Sequence, residues 1–404
     1  MTEFNRNSFA TIQFTLTWKS GNGIHEEKFL ARKINAWRDV IPAELKELLM
    51  GAKAGETIAV NFPAGSELPD YASSKVKTVP QSKFRLKSHH LRDQPARIGR
   101  FYPQGTLRGL PGVYPQTISP LRVLDKKDSS ITADLNHPLA GIPFRLEAEI
   151  INVADKDSET GGRLTHWIEE LCDGGPGMQA PLQNHKTDFI HEDFFKRDND
   201  ADDKSFYASP RLTGHIDEQA SRNLQNIYAQ FLRPEMKVLD LMSSMQSHLP
   251  QDMDLDLTGL GMNMDEMRMN PVLNERVVQD LNIDPELKFT DDKFDAITCS
   301  MSIEYLTDPL SVLKQAYSNL HSGGHLIIGV SNRWFPTKVT QGWLELHEFE
   351  RMGYLLQLAE EAGFTGPKGT TSIRNDWRPT NDRHFVQTRG VSDPVYVVWC
   401  KKIS

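Results

Sequence analysis

Apolar and polar side chains alternate along Thr11-Ile-Gln-Phe-Thr-Leu-Thr-Trp and again along Phe144-Arg-Leu-Glu-Ala-Glu-Ile-Ile-Asn-Val. A period of two sends one face of a strand to a core and the other to water, so both segments predict half-buried strands, the second closing a first sheet. Between them Gly21-Asn-Gly marks a turn, Ile41-Pro opens a helix through Glu44-Leu-Lys-Glu-Leu-Leu-Met that ends near Gly51, and Thr57-Ile-Ala-Val-Asn-Phe predicts another strand. Residues 63–130 are rich in Pro, Gly, Arg and Lys and carry only short apolar runs, as in a small β insertion.

From residue 206 the pattern changes. Residues 218–232 predict an amphipathic helix, and five strand-like segments follow: Lys237-Val-Leu-Asp-Leu, Leu257-Thr-Gly-Leu-Gly-Met-Asn, Val277-Val-Gln-Asp, Phe294-Asp-Ala-Ile-Thr-Cys-Ser and His325-Leu-Ile-Ile-Gly-Val-Ser-Asn. Apolar runs without alternation suit strands covered on both faces, as in a parallel sheet. Each segment ends on a polar residue, Asp240, Asn263, Asp280, Ser300 or Asn332. Ligands of such sheets bind beyond the carboxyl ends of the strands, so a nucleotide-like cofactor is expected here. Residues 341–362 predict one long amphipathic helix, and Pro394-Val-Tyr-Val-Val-Trp-Cys predicts a last strand. Residues 154–205, with Asp-Lys-Asp-Ser-Glu-Thr-Gly-Gly, Asp173-Gly-Gly-Pro-Gly and Asp198-Asn-Asp-Ala-Asp-Asp-Lys, predict a linker with one helical piece near 164–171.

Composition adds bounds. A chain of 404 residues is long enough for two or three domains. A net charge of −8 argues against nucleic acid or an anionic membrane as the main partner. Cys172, Cys299 and Cys400 stand alone, with no metal-ligand or disulfide spacing. His89-His90 has no third ligand at a helpful spacing, and neighbours in a strand face opposite ways, so no metal is expected. No apolar run approaches the roughly 20 residues of a membrane span, and Met-Thr-Glu-Phe-Asn lacks a charged-then-apolar leader pattern. The cytoplasm is the expected location.

In the first half, Asp134-Leu-Asn followed by His137-Pro-Leu-Ala-Gly resembles the Asn-His-Pro-Leu-Ala-Gly segment of the SlyD-type FKBP prolyl isomerases. Val79-Pro-Gln-Ser-Lys-Phe is similar to the start of that family's inserted flap domain, and Gly51-Ala-Lys-Ala-Gly-Glu-Thr to its helix-to-strand turn. The resemblance implies an α+β FKBP-like domain over residues 8–71 and 137–153, interrupted by a chaperone-type flap domain at 72–136 that holds unfolded chains. It further implies a peptide-binding pocket at Leu16, Glu27, Val40, Ile41, Leu68 and Leu146. Leu16, Leu68 and Leu146 stand where family members usually carry aromatic residues, and Glu27 where Asp is usual. Weak or absent isomerase (rotamase) activity is therefore expected, with peptide holding retained. His137, in the turn motif, has a structural role.

The second half, with Leu320-His-Ser-Gly-Gly-His-Leu-Ile-Ile before its late strand, resembles the class I S-adenosylmethionine-dependent methyltransferases, and more closely the methyltransferase type 11 group. That resemblance implies an α/β Rossmann-like domain over 206–404 with S-adenosylmethionine as cofactor. Asp240 takes the acidic position ending the first strand, and Leu241-Met-Ser-Ser replaces a glycine-rich turn, which places Met242, Ser243 and Ser244 beside the cofactor. Asn263 takes the ribose position, Asp280 with Leu281 the adenine position, and Ser300 begins the segment facing the transferred methyl. An Asp ending a strand is also often just a helix cap. Asn332 and Arg333 are candidates to orient an acceptor, with Trp334 and Phe335 as an apolar wall, and His248 is a candidate base. The absence of Gly-x-Gly-x-x-Gly after the first strand argues against a dinucleotide.

Three functions follow as expectations. The first is a methyltransferase acting on a protein client presented by the FKBP-like module, or on a small molecule. The second is a chaperone or binding protein with a degenerate methyltransferase fold. The third is a prolyl isomerase to which the second domain is accessory.

Overall fold

The computed structural model describes all residues except 1, 22, 87–94, 157–161, 184, 290–292 and 404; His89 and His90 lie outside the described residues. The chain divides into two units, Met1–Phe189 and Ile190–Ser404.

In the first unit β1 (Ser8–Ser20) and β2 (Gly23–Asn35) form an antiparallel pair with Leu16 opposite Glu27. Burial along β1 alternates as its sequence does, with Ala10, Ile12, Phe14, Leu16 and Trp18 in the core. Helix α1 (Ala43–Leu49) adds Leu45 and Leu49 to that core, and β3 (Thr57–Phe62) follows. The chain then leaves for a separate antiparallel sheet: β4 (Val76–Pro80), β5 (Phe101–Pro103), β6 (Pro120–Lys127) and β7 (Ser130–Asp134), in the order β4-β7-β6-β5. This insertion has its own small core around Val79, Leu121, Val123 and Ile131. Asn136 clasps its two ends, its side chain accepting from the Ala72 amide and donating to the Ala72 carbonyl, both at 3.0 Å. Strand β8 (Phe144–Asp155) returns and completes an antiparallel order β2-β1-β8-β3. His137 is part of the turn before β8, where its Nδ1 accepts from the Leu139 amide at 3.1 Å.

Residues 164–205 are not an extended linker. Helix α2 (Trp167–Cys172) buries Trp167, Ile168, Leu171 and Cys172 in the core of the first unit, and Met178, Gln179 and Phe189 are buried as well. The following stretch belongs to the second unit. Phe194 is buried there, and Asp203, at the start of α3 (Asp203–Tyr207), accepts from both Arg197 Nη1 (2.8 Å) and Lys338 Nζ (2.8 Å). The polar runs suggested a linker, but the aromatic residues between them bury enough area to fix the chain.

The second unit starts with α4 (Glu218–Tyr228), which Asp217 caps through the amides of Gln219 and Ala220. Ala220, Leu224, Ile227 and Tyr228 form its buried stripe. After it come β9 (Lys237–Leu241), β10 (Asp256–Gly261), α5 (Met264–Arg268), β11 (Glu275–Val278), β12 (Phe294–Ser300), α6 (Pro309–Asn319) and β13 (Leu320–Ser331). The order β11-β10-β9-β12-β13 is parallel throughout, and β15 (Val395–Lys401) then β14 (Lys368–Arg374) add antiparallel strands beside β13. The direction of winding reverses between β9 and β12, which is where sheets of this kind open a ligand crevice. The single helix expected over 341–362 is two, α7 (Gln341–Glu345) and α8 (Glu348–Glu361). His347 breaks them apart: its Nδ1 accepts from the Phe349 amide while the Glu350 carboxylate accepts from its own amide, a reciprocal cap that starts a new helix. Among the described residues no helix is long and apolar enough to cross a membrane.

Candidate active site

A cleft enclosing about 720 Å³, its open mouth included, lies at the carboxyl ends of β9, β10, β11 and β12. That is within the size range of small-molecule and cofactor sites. Of the residues expected at a cofactor, Met242, Ser243, Ser244, Asn263, Asp280 and Leu281 line it. Asp240 and Ser300 do not.

Asp240 lies beneath the loop that follows β9. It is 2 % exposed, and its carboxylate accepts the hydroxyls of Ser243 (2.6 Å) and Thr298 (3.1 Å). Burial pushes it up to about 6, against the pull of those hydroxyls. Its role is to shape the loop. Ser243 is held from the other side too, its amide donating to Leu260 O at 2.8 Å. Gly261, the last residue of β10, permits this closeness, since a Cβ there would stand 2.1 Å from the Ser243 carbonyl oxygen. Met242 takes φ +56°, the left-handed region that glycine favours, and Met301, just after β12, takes φ +53°. Strained backbone of this kind gathers at functional sites.

Asn263 lines the cleft, yet its side chain is already engaged. Its Oδ1 accepts the amides of Asp265 and Glu266 and caps α5, while its Nδ2 donates to Tyr207 O at 2.8 Å. A ribose-gripping role is therefore corrected to a helix cap. Glu266, which the sequence did not point to, supplies a carboxylate instead. It is 7 % exposed, lines the cleft, and accepts from the Arg211 amide (2.7 Å) and the Ser244 hydroxyl (2.6 Å). The Ser300 hydroxyl pairs with that of Tyr228 at 2.8 Å, away from the cleft; Met301 and Ser302 line it in its place.

At the β11 end, Asp280 Oδ1 accepts from the Asn282 amide, whereas its Oδ2 is buried with no partner among the described residues. Burial, helped by the charge of Asp203, holds this carboxyl above its ordinary range. A group of aromatic rings also borders the cleft. Phe335 stacks on Tyr305 and meets Phe206 and His215 edge-on, with centroids 5.7–5.8 Å apart. The Arg211 guanidinium lies 4.0 Å from the Phe206 centroid and 5.2 Å from that of Phe335, a cation–π arrangement. Its Nη2 donates to Phe206 O, and its Nη1 is buried without a partner among the described residues. Phe335 lines the cleft, while the Arg351 guanidinium lies over the Trp334 ring. Little in the local pattern singles out Tyr207, Arg211, His215 and Glu266, because three of them precede the first strand of the parallel sheet and the fourth is an ordinary helix residue.

The three proposed catalytic side chains lie elsewhere. Asn332 is exposed beyond β13. Arg333 Nε bonds Asp393 at 2.9 Å and lines a neighbouring pocket. His248 is 5 % exposed with Nδ1 at 2.9 Å from the Ser221 hydroxyl, lines a third pocket, and is pushed down to about 4 by burial.

In the first unit the expected peptide pocket is covered by the same chain. Leu16, Ile41, Leu68 and Leu146 are buried core. The Val40 amide donates to Thr165 O and its carbonyl accepts from the Trp167 amide, so its backbone pair is in use. Asp39 accepts the Trp167 indole N–H at 3.0 Å. Glu27 is fully buried and accepts from Gln179 Nε2 at 2.6 Å, and Pro176 and Gly177 are buried against this side, Gly177 close to Pro138. These residues do not form an open groove.

Residues 209–367 match a family model described as "Methyltransferase domain". No curated protein matches the chain. Among solved structures, a SAM-dependent methyltransferase from Archaeoglobus fulgidus is similar at 15% identity, over 46% of this chain and 94% of that one, with a TM-score of 0.33. A phosphoethanolamine N-methyltransferase 2 of Haemonchus contortus, solved with S-adenosylhomocysteine, is similar at 10% identity over 45% of this chain and 53% of that one, with a TM-score of 0.32. The assignment of residues 209–367 rests on the family model.

Proposed function

From residues 209–367 as an S-adenosylmethionine-dependent methyltransferase domain, we propose that the cleft between β9 and β12 holds this cofactor and that the chain methylates a small molecule. Bound there, S-adenosylmethionine supplies a methyl group activated by a sulfonium. The observation that carries the reading is Asp280 Oδ2, a buried acceptor without a partner at one end of the cleft. A buried acceptor of this kind costs free energy until a donor arrives, and the adenine amine is such a donor. Arg211 Nη1, on the same cleft, is a buried donor without an acceptor among the described residues, which fits the carboxylate of the cofactor's amino-acid end. Glu266 has lone pairs left beyond its two bonds and offers the acid that Gly261 and Asn263 do not.

A small acceptor is favoured over a protein client presented by the first unit, because residues 165–180 cover that unit's expected groove. An antiparallel sheet with a clasped β insertion supports reading the first unit as a SlyD-like FKBP module that serves as a closed accessory. Calorimetric titration with S-adenosylmethionine tests the reading. The native chain binds, and Asp280→Ala weakens binding by about 10-fold or more, the scale of a lost hydrogen bond to a charged group. Absence of binding by the native chain would end it.

A further inference from the structure

His215 lines the cofactor cleft together with Arg211, Glu266 and Phe335, and it also lines the neighbouring pocket that holds Arg333, Asn381 and Asp393. It is thus a wall common to two cavities of the second unit. The neighbouring pocket encloses about 950 Å³, its open mouth included, and its lining is mostly polar or charged. Neither ring nitrogen of His215 has a hydrogen-bond partner among the described residues, while the ring is fixed edge-on to Phe335 at 5.7 Å and 87°.

Of the other titratable groups of the cleft, Asp280 has a bare oxygen, which is assigned to the adenine amine, and the rest are engaged or hold their protons. Asp203 accepts from Arg197, Lys338 and Asn282. Glu266 accepts from Arg211 and Ser244. Burial pushes the phenols of Tyr207 and Tyr305 well up, so both stay protonated. We propose that His215 is the proton acceptor of the methyl transfer, and that the pocket on its far side receives the acceptor, a small polar molecule whose nucleophile is a hydroxyl or an amine. This rests on the cleft being the methyl donor's site.

In the step, the lone pair of the acceptor's oxygen or nitrogen forms the bond to the methyl carbon as the carbon–sulfur bond breaks, its electron pair going to sulfur. The acceptor's proton passes to an imidazole nitrogen. His215 suits this because burial, the largest influence on it, holds its imidazole below the usual value and so unprotonated at neutral pH. The Glu266 carboxylate pulls the other way, Arg211 adds to the depression, and His248 is a further titratable neighbour, with Asp217, Arg333, His384 and Asp393 among the groups of the neighbouring pocket. A base so placed typically contributes 10²–10⁴-fold to a rate.

Two measurements on the intact chain test the proposal. First, S-adenosylhomocysteine is titrated into native protein carrying ¹⁵N-histidine, and into His215→Gln and His215→Asn. The His215 ring signals are expected to move on binding and to titrate below an ordinary histidine, and the variants to keep an affinity within about threefold of native. Ring signals indifferent to the ligand, or an affinity loss beyond tenfold in both variants, would overturn the proposal by removing His215 from the donor site or making it a cofactor ligand.

Second, methyl-labelled S-adenosylmethionine is incubated with the low-mass filtrate of a cell extract. The native chain is expected to label a product, His215→Gln to lose about 10²–10⁴-fold in rate with the acidic limb of its pH profile flattened, and Asn381→Trp, which narrows the neighbouring pocket, to raise KM at unchanged S-adenosylhomocysteine affinity. A filtrate left unlabelled by the native chain, or an Asn381→Trp variant with native KM, would overturn the acceptor assignment. Failure of the native chain to bind S-adenosylhomocysteine is a separate outcome and removes the donor site itself.

Discussion

Asp240 and Asp280 lie at the ends of β9 and β11, on either side of β10, and have different surroundings. Asp240 is enclosed by hydroxyls under its loop, whereas Asp280 keeps a bare oxygen at the cleft. Arg211, on the same cleft, is the complementary case, with Nη1 a donor bare among the described residues. If its Nη1 meets the amino-acid carboxylate, Arg211→Ala will weaken S-adenosylhomocysteine by about 10-fold or more and leave 5′-methylthioadenosine, which lacks that carboxylate, unchanged. Equal losses for both ligands in calorimetry would contradict the assignment. Glu304, next to Tyr305, is a further buried acid: 2 % exposed, Oε2 without a partner among the described residues, and pushed up to about 7 by burial, with a backbone amide and Arg351 opposing in part. An acid whose folded value is raised contributes its stability below the unfolded value of about 4.5 and loses it as pH rises through about 7. Glu304→Gln is therefore expected to gain on the native chain between pH 5 and pH 8, by up to about 3 kcal/mol. Urea unfolding at the two pH values checks this, and a gap that does not change with pH would count against it.

At the scale of elements, α5 shows how one residue type serves two roles that sequence does not separate. An asparagine just after a strand can reach a ligand or cap the helix that follows, and the choice depends on whether its Oδ1 meets amides, as it does at Asp265 and Glu266. Asn263→Ala should cost about 1 kcal/mol of stability, the usual value of a cap, with S-adenosylmethionine affinity changed less than about threefold. A loss as large as that of Asp280→Ala would restore the ribose role. The same distinction explains how much was legible. Strands β9, β10, β12 and β13 were readable because unbroken apolar runs leave little choice of environment; the 242–244 loop follows the end of β9, and Asp280 the end of β11. Glu266 and Arg211 were not, since an acid in a first helical turn or an arginine among aromatics is common on any surface. Long-range contacts with Ser244 and Phe335 give them their place, and no local pattern records those. The 341–362 helix was misjudged for a local reason: apolar periodicity continues across His347, but the cap it makes does not show in the periodicity.

For the whole molecule, the 154–205 segment changes the functional balance most. Its acidic and glycine-rich runs read as a spacer, yet Trp167, Met178 and Gln179 are buried in the first unit and Phe194 and Asp203 in the second. With Val40 and Glu27 already bonded by residues 165–179, the intact chain should neither bind a fluorescent prolyl peptide nor speed a proline-limited refolding reaction. Acceleration to the level of an active FKBP would show that the cover opens readily.

The loop after β9 has one more consequence. Glycine-rich turns get their fit to a ligand from mobility, and ordering them on binding costs conformational entropy. Here Ser243 is tied to Asp240 and Leu260, and Ser244 to Glu266. The Ser243 amide should thus be slow in hydrogen exchange in the ligand-free protein, and a cofactor arriving at this loop finds its seat already set.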